Sequence, residues 1–296
     1  MHNTVLVILN QPSAAAPPHH DGSPAFAIVD PNVPQLSALD LGATRGDGVF
    51  ETISVGEGSP QALEHHLRRF ARSAAALELP EPDADAWRVA ILAAIAELDP
   101  APECSVKTVL TRGIEDDGRP TGWVYASHSP DYRSARVDGI RVVMLDRGYR
   151  HDVEQTSPWL LAGAKTLSYA VNRSVLREAA RRGADDVIFV SGDGFVLEGP
   201  TSTVVYRSGE RLLTPGTGLG ILEGTTQSSI FRFAESLGLG TGFELATPDT
   251  LRRADAAWLV SSVRLAAPIR ELDGQPFPVD RELSAGINAH LLGLRD

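Results

Sequence analysis

GAKTLSYAVNR, residues 163–173, contains Lys165, and of the 27 basic residues in the 296-residue chain only this one and Lys107 are lysine. Arginine serves equally well as a solvated cation. Lysine is needed where a primary amine must lose its proton and attack a carbonyl, which a guanidinium does not do at ordinary pH. The amine stands at the start of an amphipathic stretch. Over 167–182, Val171, Val175 and Ala179 recur at i, i+4 and i+8, which predicts a helix, and Gly183 is placed for its left-handed C-cap. Upstream, IRVVML (140–145) reads as a strand; downstream, DVIFVSGDGFVLEG (186–199) reads as a hairpin turned at Gly-Asp-Gly, and STVVYRSGERLLT (202–214) as another.

Farther out, a helix is expected from Thr226, with Ile230, Phe233 and Leu237 on one face, then a strand in AAWLVSS and a terminal helix over 282–292. In the N-terminal half, VLVIL (5–9) and AFAIVD (25–30) read as strands separated by a Pro/His/Ala-rich loop. GDGVFETISVGEG (46–58) has the composition of a strand ending in a glycine turn. Helices follow over 64–77, striped by Leu67, Phe70, Ala74 and Leu77, and over 87–98. SVKTVLTRG (105–113) and GWVYASH (122–128) are further strands, split by the polar turn IEDDGRP. SPDYRSARVDG (129–139) is polar and aperiodic. The reading is a small N-terminal α+β domain over 1–128, a linker over 129–139 and a larger C-terminal α+β domain over 140–296. Strands and helices do not alternate regularly, which argues for α+β layers over a doubly wound parallel sheet.

Composition narrows the partners. The chain is 43% hydrophobic and 22% charged with a formal net charge of −11, so no global basic field attracts nucleic acid or an anionic membrane. The single cysteine, Cys104, excludes an internal disulfide and suits core packing in a reducing compartment. The first twenty residues lack a basic n-region, and their apolar run is too short for a signal or membrane segment. A cytoplasmic, soluble protein is expected. His65 and His66 have no second pair at metal spacing, so they are read as surface residues and no metal site is expected.

A pyridoxal phosphate enzyme requires a lysine for the Schiff base, an acid beside the pyridine nitrogen and a cup for the phosphate. Glu198, ahead of Gly-Pro at a strand end, is a candidate for the acid. Its charge would keep the pyridine protonated and make the ring an electron sink. Gly224-Thr225-Thr226 opens a helix whose unpaired N–H groups and hydroxyls suit a phosphate dianion, and Ser261-Ser262 ends a strand that can add hydroxyls. Arg69, in HHLRRF, lies off the Leu67/Phe70 stripe. Each has an ordinary alternative: a solvated turn glutamate, a threonine N-cap, a strand-end serine, a solvated arginine.

Taken in order, RGDGVFET (45–52), GAKTLSYAVNR (163–173), GADDVIFVSGDGFVLEGPTSTVV (183–205), GILEGTT (220–226) and WLVSSVRLAAPI (258–269) resemble the class IV aminotransferase family, the fold-type IV pyridoxal phosphate enzymes. The resemblance spans about residues 25–275. It implies two α+β domains meeting at a cofactor cleft, a homodimer whose partner chain helps close the site, pyridoxal 5'-phosphate as cofactor, and a small amino-acid-like substrate. By position, Lys165 matches the Schiff-base lysine, Glu198 the partner of the pyridine nitrogen, and Arg69, Thr225, Thr226 and Ser262 the phosphate cup. Thr52, in RGDGVFET, looks more like the family's lyases that expel pyruvate from 4-amino-4-deoxychorismate than like its branched-chain transaminases, which tend to glycine there. In those lyases this threonine assists proton transfer. SSVRLAAPI points the same way. A D-amino acid or branched-chain aminotransferase using the same lysine is the alternative, although the Arg-x-His signature of the D-amino acid enzymes is missing after SVKTVLTRG. The lyase substrate is a dicarboxylate, and Arg45, Arg112, Arg119 and Arg264 are the candidate clamps, each with a structural alternative.

Overall fold

The computed structural model describes residues 3–20 and 22–295, and its contacts group the chain into two units. One takes the chain through Pro130, the short segment Ala164–Tyr169 and the residues from Leu294; the other is Asp131–Gly163 with Ala170–Gly293. The stretch expected as a linker carries a short helix, and from Asp131 onward it groups with the second unit.

The first unit is a six-stranded antiparallel sheet with two long helices. Its elements are β1 (Thr4–Leu9), β2 (Phe26–Val29), α1 (Leu41–Arg45), β3 (Gly48–Gly56), β4 (Ser59–Pro60), α2 (Leu63–Ala76), α3 (Ala84–Glu97), β5 (Glu103–Thr111) and β6 (Thr121–His128), and the strand order is β2-β1-β6-β5-β3-β4. Strict alternation in β1 buries Val5, Val7 and Leu9 while their neighbours stay half exposed, as a sheet with one covered face requires. Asp83 caps α3, its side chain accepting from the Asp85 and Ala86 N–H groups. Phe70 of α2 meets Trp87 of α3 edge to face at 4.9 Å, and the fully buried Trp87 indole donates to the Pro12 carbonyl. Burying the Phe70 and Trp87 rings contributes roughly 1.5–3 kcal/mol or more apiece.

The second unit is built on a mixed sheet. Its elements are α4 (Arg133–Val137), β7 (Ile140–Asp146), α5 (Val153–Thr156), α6 (Ala170–Arg181), β8 (Asp186–Val190), β9 (Thr203–Ser208), β10 (Arg211–Pro215), α7 (Thr225–Ser236), β11 (Gly240–Glu244), α8 (Pro248–Arg252), β12 (Ala256–Ser261), β13 (Leu265–Leu272), β14 (Gln275–Pro276) and α9 (Arg281–Gly293). The order is β11-β10-β9-β12-β13-β7-β8, with β14 beside β13; β10/β11, β13/β7 and β7/β8 run parallel and the other pairs antiparallel. Ile188, Val204, Leu259 and Ile269 lie at the centre of its core. Asn288 of α9 grips β13, accepting from the Ala266 N–H and donating to the Ala266 carbonyl. Helix α6 ends in a Schellman motif: Gly183 has φ +76°, its N–H reaches the Ala180 carbonyl, and the Ala184 N–H reaches that of Ala179.

The α+β class read from the sequence holds, and two local expectations shift. Helix α6 starts at Ala170, three residues later than its periodicity suggests, because Lys165 to Leu167 are held extended by backbone bonds to β3. FVLEG returns alongside β8 through a single bridge, Val190 to Val196, so Glu198 stands in a loop and not at a strand end. Residues 265–272, to which the sequence reading assigned no element, form β13; its ladder to β7 shifts register between Ile269 and Glu271.

Candidate active site

In the first unit the site is organised by β3. The Phe50 N–H donates to the Lys165 carbonyl at 3.0 Å, the Leu167 N–H donates to the Gly48 carbonyl at 2.8 Å, and Val49 and Thr166 form an antiparallel bridge between them. On its other side the Lys165 N–H donates to Ser73 Oγ of α2 at 3.1 Å. Gly48 permits this approach: a Cβ there would lie 2.7 Å from the Leu110 carbonyl and 2.8 Å from Leu167 Cδ1. So fixed, Lys165 places Nζ 4.7 Å from the Phe50 ring centroid, and Tyr169 meets that ring edge to face at 5.4 Å.

Lys107 comes to the same ring. It is the residue of β5 paired with Thr52, and its Nζ lies 5.7 Å from the Phe50 centroid. Both lysines of the chain therefore flank one phenylalanine. Sequence reasoning singled out neither Lys107, Phe50 nor Tyr169. The available signal was the pairing of two strands already recognised, since period-2 alternation puts Phe50 and Thr52 on one face and Lys107 opposite.

Arg69 is not a solvated arginine. It is buried, and its Nε and Nη2 each donate to Glu51 of β3 at 2.6 Å. His66, expected at the surface beside His65, is buried as well, with Nδ1 2.7 Å from Glu51 Oε2; His65 is exposed. The buried face of α2 is broader than its apolar stripe and takes in Leu63, His66, Leu67, Arg69, Phe70, Ser73 and Ala74. Polar residues join it because Glu51 is there to pair with them. Burial alone would push the Glu51 carboxyl up, but the Arg69 charge and the bonds from Arg69 and His66 hold it far below the usual carboxylate range. Burial pushes the His66 imidazole down against the pull of Glu51, and Nδ1, facing a carboxylate that accepts, is the donor of the contact.

In the second unit, Glu198 is half-buried and its Oε2 accepts from the Leu222 N–H at 3.2 Å. Its backbone is pinned by the Phe189 N–H to its carbonyl at 2.9 Å. Helix α7 begins at Thr225 with Gly224 as N-cap and no side chain capping it, and Thr225 and Thr226 are buried in its first turn. Ser262 follows β12, in a turn held by Arg136, whose Nε donates to the Arg264 carbonyl at 2.9 Å and Nη2 to that of Val263 at 3.2 Å.

The four candidate substrate arginines are placed as follows. Arg112 donates to Asp47 at 2.7 Å and to the Leu77 carbonyl at the end of α2 at 2.7 Å, which makes it a structural tie. Arg119 pairs with Asp117 in the turn between β5 and β6. Arg264 has Nη2 2.7 Å from Oδ2 of the buried Asp186, an ion pair without hydrogen-bond alignment. Arg45 ends α1 and is exposed. Among the described residues no cluster of His, Cys, Asp and Glu is arranged to hold a metal, and no helix is long and apolar enough to cross a membrane.

A strand-held primary amine, a carboxylate fixed by a backbone donor and a helix start without a side-chain cap are the groups a pyridoxal phosphate enzyme uses, and comparison with known proteins agrees. Residues 48–272 match the amino-transferase class IV family, and the chain belongs to it. It is 45% identical over 261 residues to the bifunctional aminodeoxychorismate lyase / D-amino acid transaminase of Mycobacterium tuberculosis (strain ATCC 25618 / H37Rv), covering 85% of this chain and 90% of that protein. Among solved structures it is similar to the fold IV-transaminase CpuTA1 from Curtobacterium pusillum, with TM-score 0.93, 55% identity, and 98% and 97% of the two chains covered. A hypothetical aminotransferase from Mycobacterium tuberculosis in its PLP-bound form gives TM-score 0.85 and 42% identity over 90% of this chain and 96% of that one. The chain is therefore a pyridoxal phosphate enzyme of the class IV aminotransferase type.

Proposed function

We propose that this enzyme is a 4-amino-4-deoxychorismate lyase, releasing pyruvate and 4-aminobenzoate for folate synthesis. The carrying observation is Lys165 beside Phe50 with Thr52 two residues farther along the same face of β3. Lys165 is the covalent attachment point, Glu198 the partner of the pyridine nitrogen, and Arg69, Thr225, Thr226 and Ser262 the phosphate ligands. When bound, pyridoxal phosphate withdraws electrons from the carbon bearing the substrate amine. Once displaced by that amine, Lys165 Nζ is free to act as base and takes the proton from that carbon. Thr52 Oγ1 assists the return of a proton to the terminal carbon of the departing enolpyruvyl group, giving pyruvate. Lys107, across from Thr52, supplies positive charge beside this face for a substrate carboxylate. Arg45 remains a substrate candidate, whereas the ion pairs of Arg112, Arg119 and Arg264 favour structural roles. A cytoplasmic homodimer is part of the same reading.

A second reading, a D-amino acid transaminase, is supported by the Mycobacterium tuberculosis relative, which is named for both activities, and by the Curtobacterium pusillum neighbour, which is named as a transaminase. There Lys165 Nζ would carry a 1,3-proton shift instead of leaving the proton for the departing group. Purified protein assayed in parallel with aminodeoxychorismate and with D-alanine plus 2-oxoglutarate separates the two. Pyruvate and 4-aminobenzoate in equal amounts, abolished by Lys165→Ala, are the expected result. Transamination with no 4-aminobenzoate would reject the lyase.

A further inference from the structure

The pair beneath Arg69 has no part in the chemistry above. Glu51 is 1% exposed and makes three short contacts: Arg69 Nε to Oε1 and Arg69 Nη2 to Oε2, both 2.6 Å, and His66 Nδ1 to Oε2, 2.7 Å. A side-on grip through Nε and Nη2 fixes the guanidinium plane and the direction of its opposite edge. A flexible arginine would lose rotamer freedom on meeting a ligand; one already gripped does not. We propose that Glu51, steadied by His66, is the positioning residue that aims Arg69 at the phosphate of the cofactor. The inference rests on the reading of Arg69 as a phosphate ligand.

Two effects of Glu51 compete. Its negative charge cancels part of the field Arg69 offers a dianion, which weakens phosphate binding. Its grip orients the guanidinium and neutralises a cation that is costly to bury alone. At 2.6 Å and nearly without solvent the grip dominates: hydrogen bonds to charged groups contribute enough that losing one costs about tenfold to a hundredfold in an equilibrium. Glu51→Gln keeps the volume, removes the charge and turns one acceptor into a donor facing Arg69.

The test titrates full-length protein, resolved from its cofactor, with pyridoxal phosphate and separately with pyridoxal, following the absorbance of the lysine-bound ring. Pyridoxal lacks the phosphate. Glu51→Gln is expected to weaken pyridoxal phosphate about tenfold or more while pyridoxal changes by less than about threefold. Equal weakening of both ligands overturns the inference, since a merely structural glutamate acts on both. Unchanged or tighter pyridoxal phosphate binding also overturns it, showing that charge outweighs orientation. Arg69→Gln separates the underlying reading: no phosphate-specific loss there removes Arg69 as a ligand, whereas a loss in Arg69→Gln alone removes only Glu51. Should Glu51→Gln not fold by circular dichroism, His66→Ala removes the 2.7 Å contact to Glu51 and leaves the Glu51–Arg69 bonds in place. A phosphate-specific loss of about threefold is then expected, and none overturns the proposal.

Discussion

Gly48→Ala tests whether the path of β3 places the reactive amine. The added Cβ would meet the Leu110 carbonyl at 2.7 Å, Leu167 Cδ1 at 2.8 Å and Thr111 Cα at 3.1 Å. Two of these atoms are backbone of β5, tied to β3 by a ladder of nine residue pairs, so they cannot withdraw without opening the sheet. Leu167 can move. Overpacking of this kind costs about 1–3 kcal/mol. Relief by lifting residues 165–167 loses the Phe50–Lys165 and Leu167–Gly48 bonds, about 1 kcal/mol each. Either route predicts a loss of stability of about 1–3 kcal/mol, read from urea unfolding. The second also moves Lys165, and a misplacement of order 1 Å in a catalytic group costs about a hundredfold in rate. Turnover and borohydride trapping of the lysine-bound cofactor, measured at cofactor saturation, should both fall. A variant with unchanged stability and turnover would refute the idea that this close approach positions Lys165.

Thr52→Val keeps shape and removes the hydroxyl: pyruvate release from aminodeoxychorismate should drop about a hundredfold while any transamination of D-alanine stays within about threefold, read as kcat on both substrates. The unfolded His66 imidazole titrates near 6.5 and burial holds the folded one lower. Between those values the unfolded state binds more protons, so stability is full above about pH 6.5 and falls on acidification. His66→Asn, which can still donate to Glu51, should flatten this slope, and equal urea midpoint shifts between pH 7.5 and 5.5 in both proteins would contradict it. Arg112→Gln loses the ties to Asp47 and Leu77; because the pair is half exposed the cost is about 1 kcal/mol, with KM for substrate unchanged within about twofold.

Features carried by local chemistry were legible. Ten of the strands read from the sequence appear, and the β5–β6 and β9–β10 pairs join as hairpins across their polar turns, because alternation and turn residues act over a few positions. Gly183 was legible for the same reason. What escaped the sequence depends on distant pairing. Residues 167–169 carry a helical pattern but stay outside α6: Leu167 donates its N–H to Gly48 of β3, and the Tyr169 N–H turns back to the Leu167 carbonyl. His66 and Arg69 look solvated on a helical wheel, and only the position of Glu51 on the neighbouring strand shows why burial is tolerated. Lys107 is unremarkable until β5 is set against β3. Arg112 and Arg264 lie near the motifs, yet their carboxylate partners, Asp47 and Asp186, are 65 and 78 residues away in sequence and invisible to spacing.

The tripeptide Phe50-Glu51-Thr52 divides two tasks by the pleat of a strand. Phe50 and Thr52 share the face that carries Lys165 and Lys107, where proton transfer is proposed. Glu51 turns the other way, into α2, where it holds Arg69 and His66. A slip of one residue in β3 would exchange the faces, burying Thr52 against Arg69 and putting a carboxylate beside the lysine amine. The long ladder from Gly48–Thr111 to Gly56–Glu103 prevents that slip, so the pairing of β3 with β5 determines which side chain shares a face with the two lysines and which grips Arg69.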